Sequence, residues 1–187
     1  MKLLFATSNM HKIREASEIL GKIGFEVEHL DIERIEPQYE SLEKIALYSV
    51  SLIFDKVEKP VFVEDTGLFI KALNGFPGPY SSYVFKTIGN KGILRLMKGF
   101  TERGAVFKSV IAFYYDGAST CISADVQGTI AKEERGKLWG FDPIFIPLQG
   151  DGRTYAEMGL EEKNKLSHRK RVLEKFANWL RTNFPDR

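Results

Sequence analysis

Cysteine is almost missing from this chain. Cys121 stands alone among 187 residues, which excludes a disulfide framework and a cysteine-rich zinc site. Histidine is nearly as scarce, and His11, His29 and His168 are too scattered to form a metal cluster. Long apolar runs are lacking too. Leu3 to Ala6 is too short for the core of a secretion signal, and no stretch approaches the length of a bilayer span, so the expected compartment is the cytoplasm. Nor is there an excess of one charge. A formal net charge of +2 is too small for a nucleic-acid scaffold or a membrane-surface protein, so any affinity for anions must come from local clusters. Internal repeats, low-complexity segments and linkers are absent from the sequence. What is present is ordinary for a soluble globular protein: 43% hydrophobic and 28% charged residues, over a length that fits one domain spanning 1–187.

The chain reads outward from Val61 to Tyr83, VFVEDTGLFIKALNGFPGPYSSY. Val61, Phe62 and Val63 predict a buried strand that ends at adjacent carboxylates, Glu64 and Asp65. A Thr-Gly pair, a second apolar run and a Gly-Phe-Pro-Gly-Pro turn follow. Acids at the end of a buried strand can hold a divalent metal or activate water, although they serve equally well to start a turn.

Upstream, Lys2 to Ala6 predicts a short buried strand, and Thr7, Ser8 and Asn9 a turn with a helix cap. Ile13, Ala16, Ile19, Leu20 and Ile23 then share one face of an amphipathic helix that Gly21 and Gly24 stop. Strand, polar turn and helix in that order present backbone N–H groups to an anion. Lys12 falls in the first helical turn, where a cation opposes the helix dipole unless a partner such as phosphate offsets it. The turn is not a Walker A loop, because its glycine-lysine pattern is absent. Phe25 to Ile32 predicts a second strand, Glu33 to Glu40 an acidic loop, and Leu42 to Ile53 a second helix with Lys44 on its more polar side.

Downstream, Tyr83 to Met97 reads as helical with a break around Gly89 to Gly92. Ala105 to Tyr115 and Cys121 to Ile130 read as strands joined by an Asp116-Gly117 hairpin turn. Helix-linked strands followed by a hairpin predict a mixed sheet in an α/β fold. Lys137 to Pro147, KLWGFDPIFIP, sets Trp139 and Phe141 around Gly140, with Asp142 before a proline. Such a loop can stack on a planar ring and bond its edge, or simply close the core. Ser167 predicts the cap of a last helix with Val172, Phe176 and Leu180 on its core face, placing His168 and Arg169 in an exposed first turn. The sequence has no G-x-S-x-G elbow, and Ser167 and His168 are adjacent, which argues against a serine hydrolase.

These parts suit nucleotide chemistry, and four segments carry a resemblance. FATSNMHK at 5–12, VEDTGLFIKALNGFPGPYSSY at 63–83, WGFDPIF at 139–145 and TYAEMGLEEKNKLSHR at 154–169 occur in that order. Together they resemble the ITPase (Ham1/RdgB-like) family of noncanonical purine nucleoside triphosphate pyrophosphatases. The resemblance implies an elongated twisted mixed sheet flanked by helices, with two lobes and a central nucleotide cleft. It implies Mg²⁺-dependent hydrolysis of ITP, dITP and XTP to the monophosphate and pyrophosphate by a homodimer, with no nucleic-acid or membrane partner.

By that similarity Thr7, Ser8, Asn9, Met10, His11 and Lys12 bind phosphates. Glu36 and Asp65 hold the metal, with Glu33 and Glu40 as alternatives to Glu36 in the same loop. Asp65 is also the base that activates water. Thr66, Lys44 and Lys163 position the triphosphate. Trp139, Gly140 and Phe141 bracket the base, while Asp142, His168 and Arg169 read it. Hypoxanthine and xanthine carry a keto acceptor where adenine carries an amino donor, and arginine only donates, so Arg169 favours the keto base. The rival expectations are a Maf-like nucleotide pyrophosphatase and a nucleotide- or RNA-binding module that does not turn over its ligand.

Overall fold

Leu3, Leu4, Phe5 and Ala6 are all buried, a continuous apolar run rather than an alternating one. That pattern belongs to a strand with parallel neighbours on both sides. The computed structural model, which describes residues 1–185, supplies those neighbours. Strand β1 (Lys2–Ala6) pairs in parallel with β2 (Glu26–Leu30), from Lys2 opposite Glu26 to Ala6 opposite Leu30. It also pairs in parallel with β3 (Val61–Ile70), Leu4 opposite Val61 and Phe5 opposite Phe62. Parallel partners need crossover connections. Helix α1 (Met10–Gly21) makes the first and α2 (Leu42–Val57) the second, capped by Asn9 and Ser41.

After β3 come the short β4 (Pro77–Gly78), α3 (Ser81–Thr87) and α4 (Gly89–Leu96), so the expected helical stretch is interrupted at Ile88. The long strands β5 (Gly104–Tyr115) and β6 (Ala118–Ile130) follow, then β7 (Phe145–Pro147), α5 (Leu160–Leu166) and α6 (His168–Asn183). The sheet order is β2-β1-β3-β5-β6-β7, with β4 antiparallel on β3 and β7 antiparallel on β6. This is the mixed α/β sheet the sequence predicts. Asp116 and Gly117 turn β5 into β6 with φ of +48° and +77°. That left-handed pair matches the twist of the flanking strands, and glycine occupies the second place at no steric cost.

The structure corrects two expectations about elements. Strand β3 does not stop at Glu64 and Asp65 but runs through them to Ile70. The acids do not end it because Glu64 finds charged partners inside the protein. Strand β6 begins at Ala118 rather than Cys121, since a tight two-residue turn pairs its polar start directly with β5.

The chain divides into two compact units. The first comprises Met1–Asp65, Ser109–Ala124 and the described residues 169–185. Its core gathers Leu3, Phe5 and Phe62 with Ile13 and Leu20 of α1, Phe113 of β5 and Val172, Phe176 and Leu180 of α6. Phe5 and Phe62 stack at 4.2 Å across β1 and β3. The second unit comprises Thr66–Lys108 and Asp125–His168. Its core gathers Leu68, Ile70, Ile93, Phe107, Val126, Phe141, Phe145 and Tyr155. No helix among the described residues is long and apolar enough to cross a membrane.

Candidate active site

In the first unit, the turn between β1 and α1 is built by its own side chains. The Thr7 hydroxyl accepts from the Asn9 N–H at 3.2 Å, and the Asn9 side-chain oxygen accepts from the His11 N–H at 2.9 Å, closing the helix cap. His29 Nε2 donates to the Thr7 carbonyl at 2.7 Å, anchoring the turn to β2. Ser8, Met10 and His11 are exposed and Thr7 is buried.

Lys12 does not wait for phosphate as its partner. Its ammonium sits 2.6 Å from Glu64 Oε2 and donates to the Glu64 carbonyl at 3.0 Å. Glu64 is 1% exposed. A carboxylate buried that deeply costs several kcal/mol of desolvation unless it is paired and hydrogen-bonded. Lys12 supplies one charge, the Ser109 hydroxyl donates to Oε1 at 2.8 Å, and Arg169 Nε lies 3.4 Å from Oε2. Arg169 Nη1 also reaches Glu15 Oε2 at 3.4 Å.

The expected exposed first turn of the last helix is therefore wrong. Arg169 is 8% and His168 6% exposed. The acids of α1 and β3 compensate the arginine, which a sequence pattern on α6 alone does not display. Burial by itself would lower the Arg169 pKa, but the charges of Glu64 and Glu15 carry it above its ordinary value.

Asp65 follows Glu64 on β3, and a strand directs successive side chains to opposite faces. Its carboxylate meets Arg34 from the acidic loop. Arg34 Nη2 donates to Oδ1 at 2.9 Å and to Oδ2 at 2.8 Å, and lies 3.6 Å from Glu36 Oε1. Its Nε donates to Ser49 Oγ of α2 at 3.2 Å. Burial lowers the Arg34 pKa, yet the Asp65 charge and hydrogen bonds, with Glu36 and Glu64, raise it overall. Glu36 is thus the acid of its loop that shares a cation with Asp65. Among the described residues no group of three or more acids, histidines or cysteines forms a ready metal cage. A hard cation here would draw on two carboxylates and complete its shell with substrate oxygens and water, which suits Mg²⁺. Lys44, in the first turn of α2, is exposed, and Thr66 is half-buried.

In the second unit, Asn90 Nδ2 donates to the Gly140 carbonyl at 3.1 Å and pins the Trp139–Asp142 turn. Gly140 has φ +67°, a conformation that strains other residues. Trp139 is 57% exposed, whereas Phe141 is buried with its ring edge-on to Phe85 at 5.5 Å. Lys163 pairs with Asp142 Oδ2 at 2.6 Å and lies 5.8 Å over the Tyr155 ring. His168 stacks nearly parallel on Phe107 at 4.6 Å.

The structure thus joins Lys12 to Arg169 through Glu64, Asp65 to Glu36 through Arg34, and Asp142 to Lys163. The sequence does not predict Arg34, Glu15, Ser109 or Asn90, and it offers Glu64 only as an acid beside Asp65 that holds a metal, activates water or starts a turn. The signal for Arg34 was a lone cation inside an acidic loop. Glu15, Ser109 and Asn90 carried none.

Residues 3–179 match the Ham1 family. The chain is 50% identical to a dITP/XTP pyrophosphatase of Methanopyrus kandleri over 189 residues, covering 100% of both chains. It is 50% identical to a dITP/XTP pyrophosphatase of Pyrococcus horikoshii, covering 98% of each. Its structure resembles that of a HAM1 protein from Coxiella burnetii with a TM-score of 0.88 at 28% identity, covering 97% of this chain and 99% of the other.

Proposed function

The chain belongs to the Ham1 family, and on that premise we propose that it hydrolyses the nucleoside triphosphates of deaminated purines (ITP, dITP and XTP) to the monophosphate and pyrophosphate. The observation that carries the reading is the setting of Asp65. Its carboxylate shares a cation with Glu36, and the Lys12 ammonium bonds the main chain one residue away, at the Glu64 carbonyl. Acid pair and lysine are what a phosphoryl centre requires, since the transition state spreads charge over phosphate oxygens.

In this reading Thr7 to Lys12 bind phosphate through the turn amides and the ammonium, and Lys44, Thr66 and Lys163 add further contacts. Asp65 orients the attacking water and takes its proton, and Asp65 and Glu36 would hold Mg²⁺. When bound, the metal polarises water and neutralises phosphate charge. Trp139, Gly140 and Phe141 receive the base, and Asp142, His168 and Arg169 read it. Glu15 and Glu64 hold the Arg169 plane, so its remaining donors suit a keto oxygen and leave an amino group unsatisfied. The high identity to relatives named dITP/XTP pyrophosphatases supports the choice of substrate.

By the same family likeness the working partner is a second copy of the chain in the cytoplasm, and a single-chain mass in sedimentation would end that expectation. The main test is pyrophosphate release with Mg²⁺ from ITP, XTP, GTP and ATP side by side, for wild type and Asp65→Asn. The expected result is strong release from ITP and XTP only, with a loss of roughly 100-fold or more in the variant while ITP still binds. Flat activity over the four nucleotides would remove the base assignment. A fully active variant would remove Asp65 as base.

A further inference from the structure

Arg34 is the cation that both proposed metal-binding acids already share. One nitrogen, Nη2, lies 2.9 and 2.8 Å from the two oxygens of Asp65 and 3.6 Å from Glu36. The other side of the guanidinium is tethered, with Nε on the hydroxyl of the fully buried Ser49. The Arg34 and Asp65 side chains are only 12% and 14% exposed, against 59% for Glu36. This is a largely desolvated, doubly hydrogen-bonded pair with one acid at its open rim, and a guanidinium cannot discharge itself by losing a proton.

Two carboxylates and one guanidinium leave the cluster with a single negative charge. A divalent cation added beside Arg34 would turn it positive, so the two cations compete for Asp65. We propose that Arg34 is a displaceable counter-ion: metal takes up Asp65 and Glu36 by exchanging with it, and the exchange is favourable chiefly when a triphosphate arrives with the metal. Free metal must strip a largely buried carboxylate of its partner and leave the guanidinium with the Ser49 hydroxyl but no carboxylate to offset its charge. A metal–nucleotide complex brings phosphate oxygens, which accept an arginine fork as a carboxylate does. Metal-free protein then keeps its acids together without mutual repulsion, and the site charges only with substrate present. Apparent affinity for free metal is the intrinsic affinity multiplied by the fraction of molecules in which Arg34 is displaced. The inference rests on the reading of Asp65 and Glu36 as the metal-binding pair.

The experiment titrates the full chain with Mn²⁺ alone, without nucleotide, following free Mn²⁺ by electron paramagnetic resonance in wild type, Arg34→Gln and Arg34→Lys. Arg34→Gln should bind Mn²⁺ at least ~10-fold tighter than wild type, and Mn²⁺ should raise its Tm more than that of wild type. Arg34→Lys, a point charge without the planar fork, should fall between. Unchanged or weaker Mn²⁺ binding by a folded Arg34→Gln protein overturns the proposal. Should that variant not fold, Arg34→Lys decides: tighter binding than wild type supports the exchange, and equal or weaker binding overturns it. Release of pyrophosphate from ITP is measured separately. A Mn²⁺ shift without ITP turnover overturns the substrate reading alone, and ITP turnover without a shift overturns the counter-ion alone.

Discussion

Glu64 is tolerable in its position because Lys12, Ser109 and Arg169 converge on it. Removing the shared acid leaves Lys12 without its carboxylate and Arg169 with Glu15 alone, close to the costly case of a broken buried ion pair. Glu64→Ala should therefore lose about 3–5 kcal/mol of stability, read as a fall in urea midpoint. A loss below about 1 kcal/mol, the size of a surface pair, would mean that the cluster is hydrated in solution. The sequence shows Glu64 and Asp65 as equivalent neighbours. Period-two alternation of a strand separates them, sending one to the buried cluster and the other to the Arg34 loop. That separation was legible in principle, but only once β3 is known to continue past the acids. Arg34 was harder, because a loop without regular structure has no periodicity from which to infer what its side chains face.

Elements with strong local signals were readable from the chain. Strand β1, the cap and apolar face of α1, the start of α2 and the Asp116-Gly117 turn each follow from a few neighbouring residues. The full extents of β3 and β6 were not readable, since their acidic and polar stretches are held by partners distant in sequence. The α1 cap offers a test of local reasoning. Asn9→Ala removes the acceptor of the His11 N–H and should cost about 1 kcal/mol, measured by denaturant unfolding. An unchanged midpoint would show that the Thr7 and His29 bonds hold the turn without it. The site residues divided in the same way. The motifs marked where chemistry concentrates, while the partners that orient it, Glu15 for Arg169 and Asn90 for Gly140, come from other elements.

For the molecule as a whole, acid sensitivity has an identifiable half-buried contributor in Glu157. The Thr154 N–H donates to Glu157 Oε2 at 2.8 Å and its hydroxyl at 3.2 Å, and with Arg135 and Arg153 nearby they hold the Glu157 carboxyl below its ordinary 4.5. The unfolded chain then takes up the proton first as pH falls. The contribution is fully present above about 4.5 and is lost as pH falls through the lower folded value. Glu157→Gln should be less stable than wild type at neutral pH, with the difference closing in acid, as urea midpoints across the range would report. A difference constant with pH would assign the effect to packing. The raised values of Arg34 and Arg169 add no such slope, because arginine is protonated in both states over the working range.

The division into units also bears on inheritance. The first unit is assembled from three stretches of chain, and the second is threaded between them in two. A single crossover between related genes that falls between two of those stretches therefore joins parts of the first unit from different parents. Its buried charges would have to agree across that join, with Lys12 and Glu64 drawn from one lineage and Ser109 and Arg169 from another whenever the exchange falls between Asp65 and Ser109. Descent in this chain should favour gradual substitution over shuffling, with the residues around Glu64 travelling as a linked set.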